Sequence, residues 1–268
     1  MAQENIENVE GDSLISAAMV CFLAPFTQKT RESLFTRWLM KISDSEIAIT
    51  RKLDFNSMFS NPLKVKIWLE NGLPNDSYSI QNAIILKSAQ LQPILIDPQT
   101  QANKWLRKEL RDVKTLNMQT SRFLQELKMS VKFGNTVVIE NVDEMISNKL
   151  YPLFVYEKAK VQGARKTTGV QICIDGTSVQ IDPSFKMIIT SVHPSPDFGA
   201  DISLLSNFIN FSVTIEAFEA QIMALLLAEL ETEQDAKQRI YRRQALVWIK
   251  RLKVIEDEIL EELKKKQP

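Results

Sequence analysis

The run Pro93-Ile94-Leu95-Ile96, stopped by Asp97-Pro98, is the feature that most constrains the fold. Consecutive apolar residues without polar alternation belong on a strand buried on both faces, and such strands lie in parallel sheets covered by helices. A helix is expected directly after it, from Thr100 through Leu110, with Trp105, Leu106 and Leu110 spaced for one face. The unit then returns. Val113 to Met118 reads as a strand, Thr120 to Phe133 as a helix and Gly134-Asn135 as a turn. Thr136 to Glu140 is a second strongly apolar strand, before a helix near Ile146 to Tyr156 that Asp143-Glu144 would cap. Strand–helix alternation of this sort marks an α/β protein. Asp175-Gly176, between Val170–Ile174 and Thr177–Ile181, has the chemistry of a primed hairpin turn. Lys186 to Thr190 and Asn207 to Val213 complete the strands.

Ahead of this sheet, residues 1–10 are polar and expected to fray. Asp12 or Ser13 can cap a helix from Leu14 through Phe22. A second helix over Thr30 to Ile42 carries Leu34, Trp38 and Ile42 on one stripe. Ser43 to Leu63 reads as loop with short helical turns, and the turn cluster Gly72 to Asp76 leads into a helix over Ser77 to Leu86.

Behind the sheet, no glycine or proline interrupts the chain from Ile215 until Pro268, so a long helix is expected over 216–268. Up to Leu230 its apolar face is wide and should pack on the domain. Beyond, Tyr241, Ala245, Trp248, Leu252, Ile255 and Ile259 recur at steps of four and three, a coiled-coil seam that needs a facing helix. No other stretch carries a matching stripe; the alternative is that the seam folds back on the domain's own core.

Composition narrows the partners. Thirty-three basic residues cancel thirty-three acidic ones, which leaves no electrostatic footprint for nucleic acid or anionic membrane. Leu14 to Phe26 is too short to span a bilayer and contains Pro25; the acids Glu4, Glu7, Glu10 and Asp12 precede it, where a signal peptide carries positive charge. Cys21 and Cys173 are far apart and read as buried apolar residues of a reducing compartment. His193 is the sole histidine and falls in a loop after a strand, so neither a zinc cage nor a Ser-His-Asp triad is expected.

A buried strand entering a helix, then a second apolar strand ending in an acid, is the layout of a P-loop module. That chemistry needs glycines whose amides close on phosphates, a lysine on the β/γ oxygens and a hydroxyl on Mg²⁺. Here the junction reads Asp97-Pro98-Gln99-Thr100-Gln101-Ala102-Asn103-Lys104-Trp105. With Lys104 on the motif lysine, Pro98 and Asn103 stand where the glycines belong and Trp105 replaces the magnesium hydroxyl. Proline offers no amide hydrogen, and an indole cannot ligate Mg²⁺. Asp97 is placed to cap the helix, and Lys104, in its first turn, is ordinarily solvated. The second strand ends Val137-Val138-Ile139-Glu140-Asn141. Glu140 could keep a charge near the metal position, but Asn141 takes no proton at neutral pH, so the general base is missing. The residues predict no catalysis, no bound cofactor and no metal.

The segments Gly11 to Ala18, Gly72 to Ile85 and Ile96 to Trp105 resemble the fifth AAA+ module of dynein heavy chains. So do Phe133-Gly134-Asn135, Asn207 to Thr214 and Ile255 to Leu260; together the similarity runs from Gly11 to Leu263, with wording closer to axonemal than cytoplasmic members. The chain departs from the family at Glu229-Leu230-Glu231, at Leu91-Gln92-Pro93 and around Gly163. The resemblance implies a three-layer AAA+ α/β domain over 11–215 with a β-hairpin insertion, then the start of the lid and the first helix of the buttress, or strut. It implies a structural, force-transmitting module of a minus-end-directed microtubule motor in the cytoskeleton of the cilium axoneme. Its partners would be the neighbouring AAA+ modules and the stalk of the same heavy chain, with other dynein subunits and microtubules reached through the parent. Two other readings compete: a free-standing coiled-coil interaction fragment and an autonomous, divergent AAA+ ATPase.

Overall fold

The computed structural model describes residues 8–50, 53, 55–110, 112–142, 149–162, 169–230 and 234–265. Its centre is one parallel sheet of β1 (Gln92–Ile96), β2 (Val113–Asn117), β3 (Thr136–Glu140), β6 (Lys186–Ser191) and β7 (Ser206–Asn210), in the order β2-β3-β6-β1-β7. The unbroken apolar runs follow from this placement. Ile94, Val137, Ile139 and Ile189 enter a core on one face, while Leu95, Val138 and Ile209 enter a second core on the other. Each such side chain, fully buried, stabilises the fold by about 1.5–3 kcal/mol. β4 (Gln171–Ile174) and β5 (Thr177–Gln180) form a separate antiparallel pair around Asp175-Gly176. Both turn residues have positive φ, which the primed turn demands.

Helices cover both faces, giving three layers. On one face lie α7 (Phe123–Phe133), α8 (Tyr151–Val161) and α9 (Gly199–Ser203). On the other lie α1 (Val9–Phe22), α2 (Gln28–Asp44), α3 (Phe55–Phe59), α4 (Pro62–Glu70), α5 (Ser77–Ser88) and α6 (Gln101–Glu109). The stops and starts are chemical. The Asp76 carboxylate accepts from Ser79 N to begin α5, and Asn61 does the same from Leu63 N ahead of Pro62 in α4. Gly134 ends α7 at φ +69°, where a side chain would also run into Ser184 and Asp182. Arg31 ties three elements: its guanidinium donates to the carbonyls of Ala24 and Phe26 and to Asn82 Oδ1, and Asn82 Nδ2 donates to Asn210 O. Burial lowers the Arg31 pKa to about 10, so it stays charged at neutral pH, stacked 4.3 Å over the Tyr78 ring.

Several local expectations are corrected. Asp12 lies inside α1 rather than at its start; its carboxylate accepts from Thr50 N at 2.9 Å and Thr50 Oγ1 at 2.6 Å, pinning the segment that returns along α1. Cys21 and Cys173 are both exposed, on the outer sides of α1 and β4. Helix α8 is described from Tyr151; Asp143, Glu144 and Ile146, where its start and cap were expected, fall outside the described residues. Helix α4 was not anticipated: Leu63, Val65, Ile67 and Leu69 recur at two-residue steps rather than at a helical period, yet its Trp68 is core.

The C-terminal region forms α10 (Ile215–Leu230) and α11 (Gln234–Lys265). The expectation that α10 packs broadly on the domain fails. Ile215, Phe218, Met223, Leu225 and Leu226 are all exposed, and Ala217 is the buried residue among those whose side chains are described. The apolar face is wide, but only a narrow stripe of it meets the sheet layer. Helix α11 touches α4.

Candidate functional site

The junction between β1 and α6 sits at the carboxyl edge of the sheet, where a P-loop would wrap a phosphate. Here that position is filled from within. The side chain of Asp97 turns back over the start of α6, with Oδ1 accepting from Gln101 N at 2.7 Å and Oδ2 from Asn103 N at 3.0 Å. Thr100 N donates to the Asp97 carbonyl at 3.1 Å. The amides that an incoming phosphate would need are therefore spent on the chain's own carboxyl, which is 1% exposed. Burial raises the Asp97 pKa above the usual carboxylate range, although hydrogen bonds from the Asn103, Ala102 and Gln101 amides pull the other way.

Thr100, Asn103 and Trp105 are fixed by the fold as well, while Lys104 is not. Thr100 adopts a left-handed conformation at φ +57°, an arrangement a threonine tolerates poorly and the loop imposes. Asn103, at the second glycine position, is buried and donates through Nδ2 to Thr190 Oγ1 on β6 at 3.2 Å. Trp105, at the magnesium-ligand position, is wholly buried; it meets Trp68 of α4 edge-on and stacks on Phe211 beyond β7, each with ring centroids 6.2 Å apart. Aromatic pairs at such separations add about 0.5–1.5 kcal/mol beyond their area. Lys104 is exposed, as a solvated lysine would be. Gln99 Oε1 accepts from Val213 N at 3.3 Å and Gln101 Nε2 donates to Gln221 Oε1 at 3.0 Å, so both reach α10 or its approach.

At the end of β3, Glu140 is not poised over an open metal position. Arg107 grips it, with Nη2 at 2.6 Å and Nε at 3.2 Å from Oε1. Asn141 follows in a left-handed turn and is exposed. Among the described residues, no cluster of three His, Cys, Asp or Glu is placed to hold a metal ion. Cavities of about 130, 300 and 270 Å³ lie beside Arg31 and Tyr78, under the amino edge of the sheet around Gln92 and Glu157, and between α1 and α2; none is lined by residues 97–105. Arg107, Phe211 and Gln221 were missed from the sequence. Arg107 is 33 residues from its carboxylate, and nothing in a local pattern joins the two.

The seam residues form the second candidate feature. Tyr241, Trp248, Leu252, Ile255 and Ile259 are 52–66% exposed and Ala245 is exposed too, so the stripe does not fold back on the domain's core. No helix among the described residues is long and apolar enough to cross a membrane.

Comparison with known proteins adds the context. The family described as the ATP-binding dynein motor region matches residues 66–268. Dynein axonemal heavy chain 1 of Mus musculus is 30% identical over 268 residues, covering 96% of this chain and 6% of its own length. Dynein axonemal heavy chain 6 of Homo sapiens is 30% identical over 264 residues with the same coverages, and dynein axonemal heavy chain 2 of Mus musculus is 27% identical over 261. The chain thus spans about 6% of the length of the curated relatives it matches.

Proposed function

The chain belongs to the dynein motor-region family, and from that premise we propose that it is a non-catalytic, force-transmitting module of an axonemal dynein heavy chain. The observation that carries this reading is Asp97, whose carboxyl takes up the α6 amides that a phosphate would use. A nucleotide would have to displace a buried, doubly bonded side chain from its own helix. Pro98, Trp105 and Asn141 remove the amide, the metal ligand and the base that catalysis would then require. Within the ring, the module is the fifth, its β4–β5 pair is the hairpin insertion, and α11 is the first half of the strut that braces the stalk. Its neighbours are the adjoining AAA+ modules and stalk of the same heavy chain. Minus-end-directed motion on microtubules in the cilium axoneme belongs to that parent, with ATP hydrolysis in another module.

Single-turnover incubation with γ-labelled ATP and Mg²⁺ tests the non-catalytic reading. Phosphate release should not exceed that of a heat-denatured sample; release that disappears in a Lys104→Ala variant would sink the proposal. The exposed seam favours a second reading, a free-standing interaction fragment that docks through α11. Light scattering after size exclusion bears on the second reading: a clean monomer disfavours self-pairing through the seam, and a stable dimer lost in Trp248→Ser favours it.

A further inference from the structure

We infer that the vacated nucleotide loop works as a latch that fixes α10, the first helix leaving the sheet, in one position without a nucleotide. This rests on the non-catalytic reading above and adds a role for residues that the reading leaves idle. Among the described side chains, little else holds helix α10. Of its described side chains, Ala217 alone is buried and Gln221 half-buried, one turn apart on a single stripe, while Ile215, Phe218, Ile222, Met223, Leu225 and Leu226 are exposed. That stripe lands on the junction. Gln221 Oε1 accepts from Gln101 Nε2 at 3.0 Å, and Gln101 is itself fixed because its backbone amide donates to Asp97.

The approach to the helix is held by the same loop. Phe211 N donates to Ile96 O at 2.8 Å, the Phe211 ring stacks on Trp105, and Val213 N reaches Gln99 Oε1. Thr214 Oγ1 then accepts from Ala217 N at 3.1 Å to start the helix. Trp105 also meets Trp68 of α4, and α4 is the element that α11 touches. The helix that leaves the sheet is therefore seated on residues that stand where phosphate would be, and α11 rests on α4, the element whose Trp68 meets Trp105. In a nucleotide-binding module these positions would change partners with the ligand; here the partners are covalently part of the chain and do not leave. A helix held this way passes displacement between the sheet and the strut at every stage of a cycle run elsewhere.

Hydrogen exchange on the full chain, read by mass spectrometry, tests the latch. Gln101→Ala should speed exchange of the amides in α10 about tenfold while β1, β3 and β6 keep their protection. Gln221→Ala should do the same, and the double variant should add nothing further, because both remove one contact. Glu219→Ala, an exposed position on the same helix, should change nothing. Unchanged α10 exchange in both glutamine variants, or effects that simply add, would overturn the latch. Mg·ATP serves as the separate arm: slowed exchange in the unaltered chain would overturn the reading of the junction as closed to nucleotide, on which the latch rests, whereas silence there with no glutamine effect removes the latch alone.

Discussion

Asp97 is the residue whose substitution acts most directly on the closed junction. Its two oxygens serve two amides inside a closed junction, so Asp97→Ala strands both donors. The expected loss is about 1–3 kcal/mol, read as a lower denaturant midpoint at unchanged slope. The titration has a defined sign. The folded pKa lies above the unfolded one, so the folded chain keeps a proton there that the unfolded chain releases. That contribution is complete below the ordinary carboxylate value and is lost as pH rises through the raised value. The stability difference between the unaltered chain and Asp97→Asn should therefore shift in favour of the unaltered chain on acidification through that window; a difference flat with pH would contradict it. Trp105→Thr restores a hydroxyl at the metal position, yet it empties a buried site between two aromatic rings. It should cost about 3–5 kcal/mol, as large-to-small core changes do, and gain no nucleotide binding in a fluorescence titration.

At the scale of elements, the strands were legible and the tertiary partnerships were not. Pro93–Ile96 and Thr136–Glu140 announce themselves because burial on both faces forbids polar alternation. Asp175-Gly176 does so because few residue pairs accept two positive φ values. Helix α4 escapes a periodicity reading because Leu63, Val65, Ile67 and Leu69 recur at two-residue steps, a strand's period, and Asp12 was misplaced because a carboxylate near a helix start can equally bind a distant strand of loop. The damage to the phosphate loop could be read from Pro98 and Trp105, and Asp97 as the cap of the next helix from its place at the junction; that the capping carboxyl is buried and takes two amides could not, since that geometry is set by a turn whose Thr100 is left-handed. In α7, Gly134→Ala should destabilise by more than about 1 kcal/mol, because the added carbon meets Ser184 at a positive φ. In α11, Trp248→Ser and Leu252→Ser should leave the denaturation midpoint within about 0.5 kcal/mol of unaltered, since both side chains are already in solvent. A large loss there would mean that the seam is buried in the free chain.

For the whole molecule, the layers divide the work. The sheet and its two cores supply stability, while the carboxyl edge, where an α/β domain normally binds its ligand, is closed by internal groups and used to seat helices. The balanced charge suits a module that meets neighbours through shaped apolar faces rather than one that gathers phosphates by long-range attraction. Exposed apolar surface is concentrated on α10 and α11, away from the sheet core. On the proposed reading, the junction from Asp97 to Trp105 does not accept a nucleotide. It is tested most directly by the anisotropy of a fluorescent ATP analogue titrated with purified chain, with and without Mg²⁺. No binding is expected at millimolar concentrations in either condition. Magnesium-dependent binding at micromolar concentrations, abolished by Lys104→Ala, would contradict it and make the junction a regulatory nucleotide site.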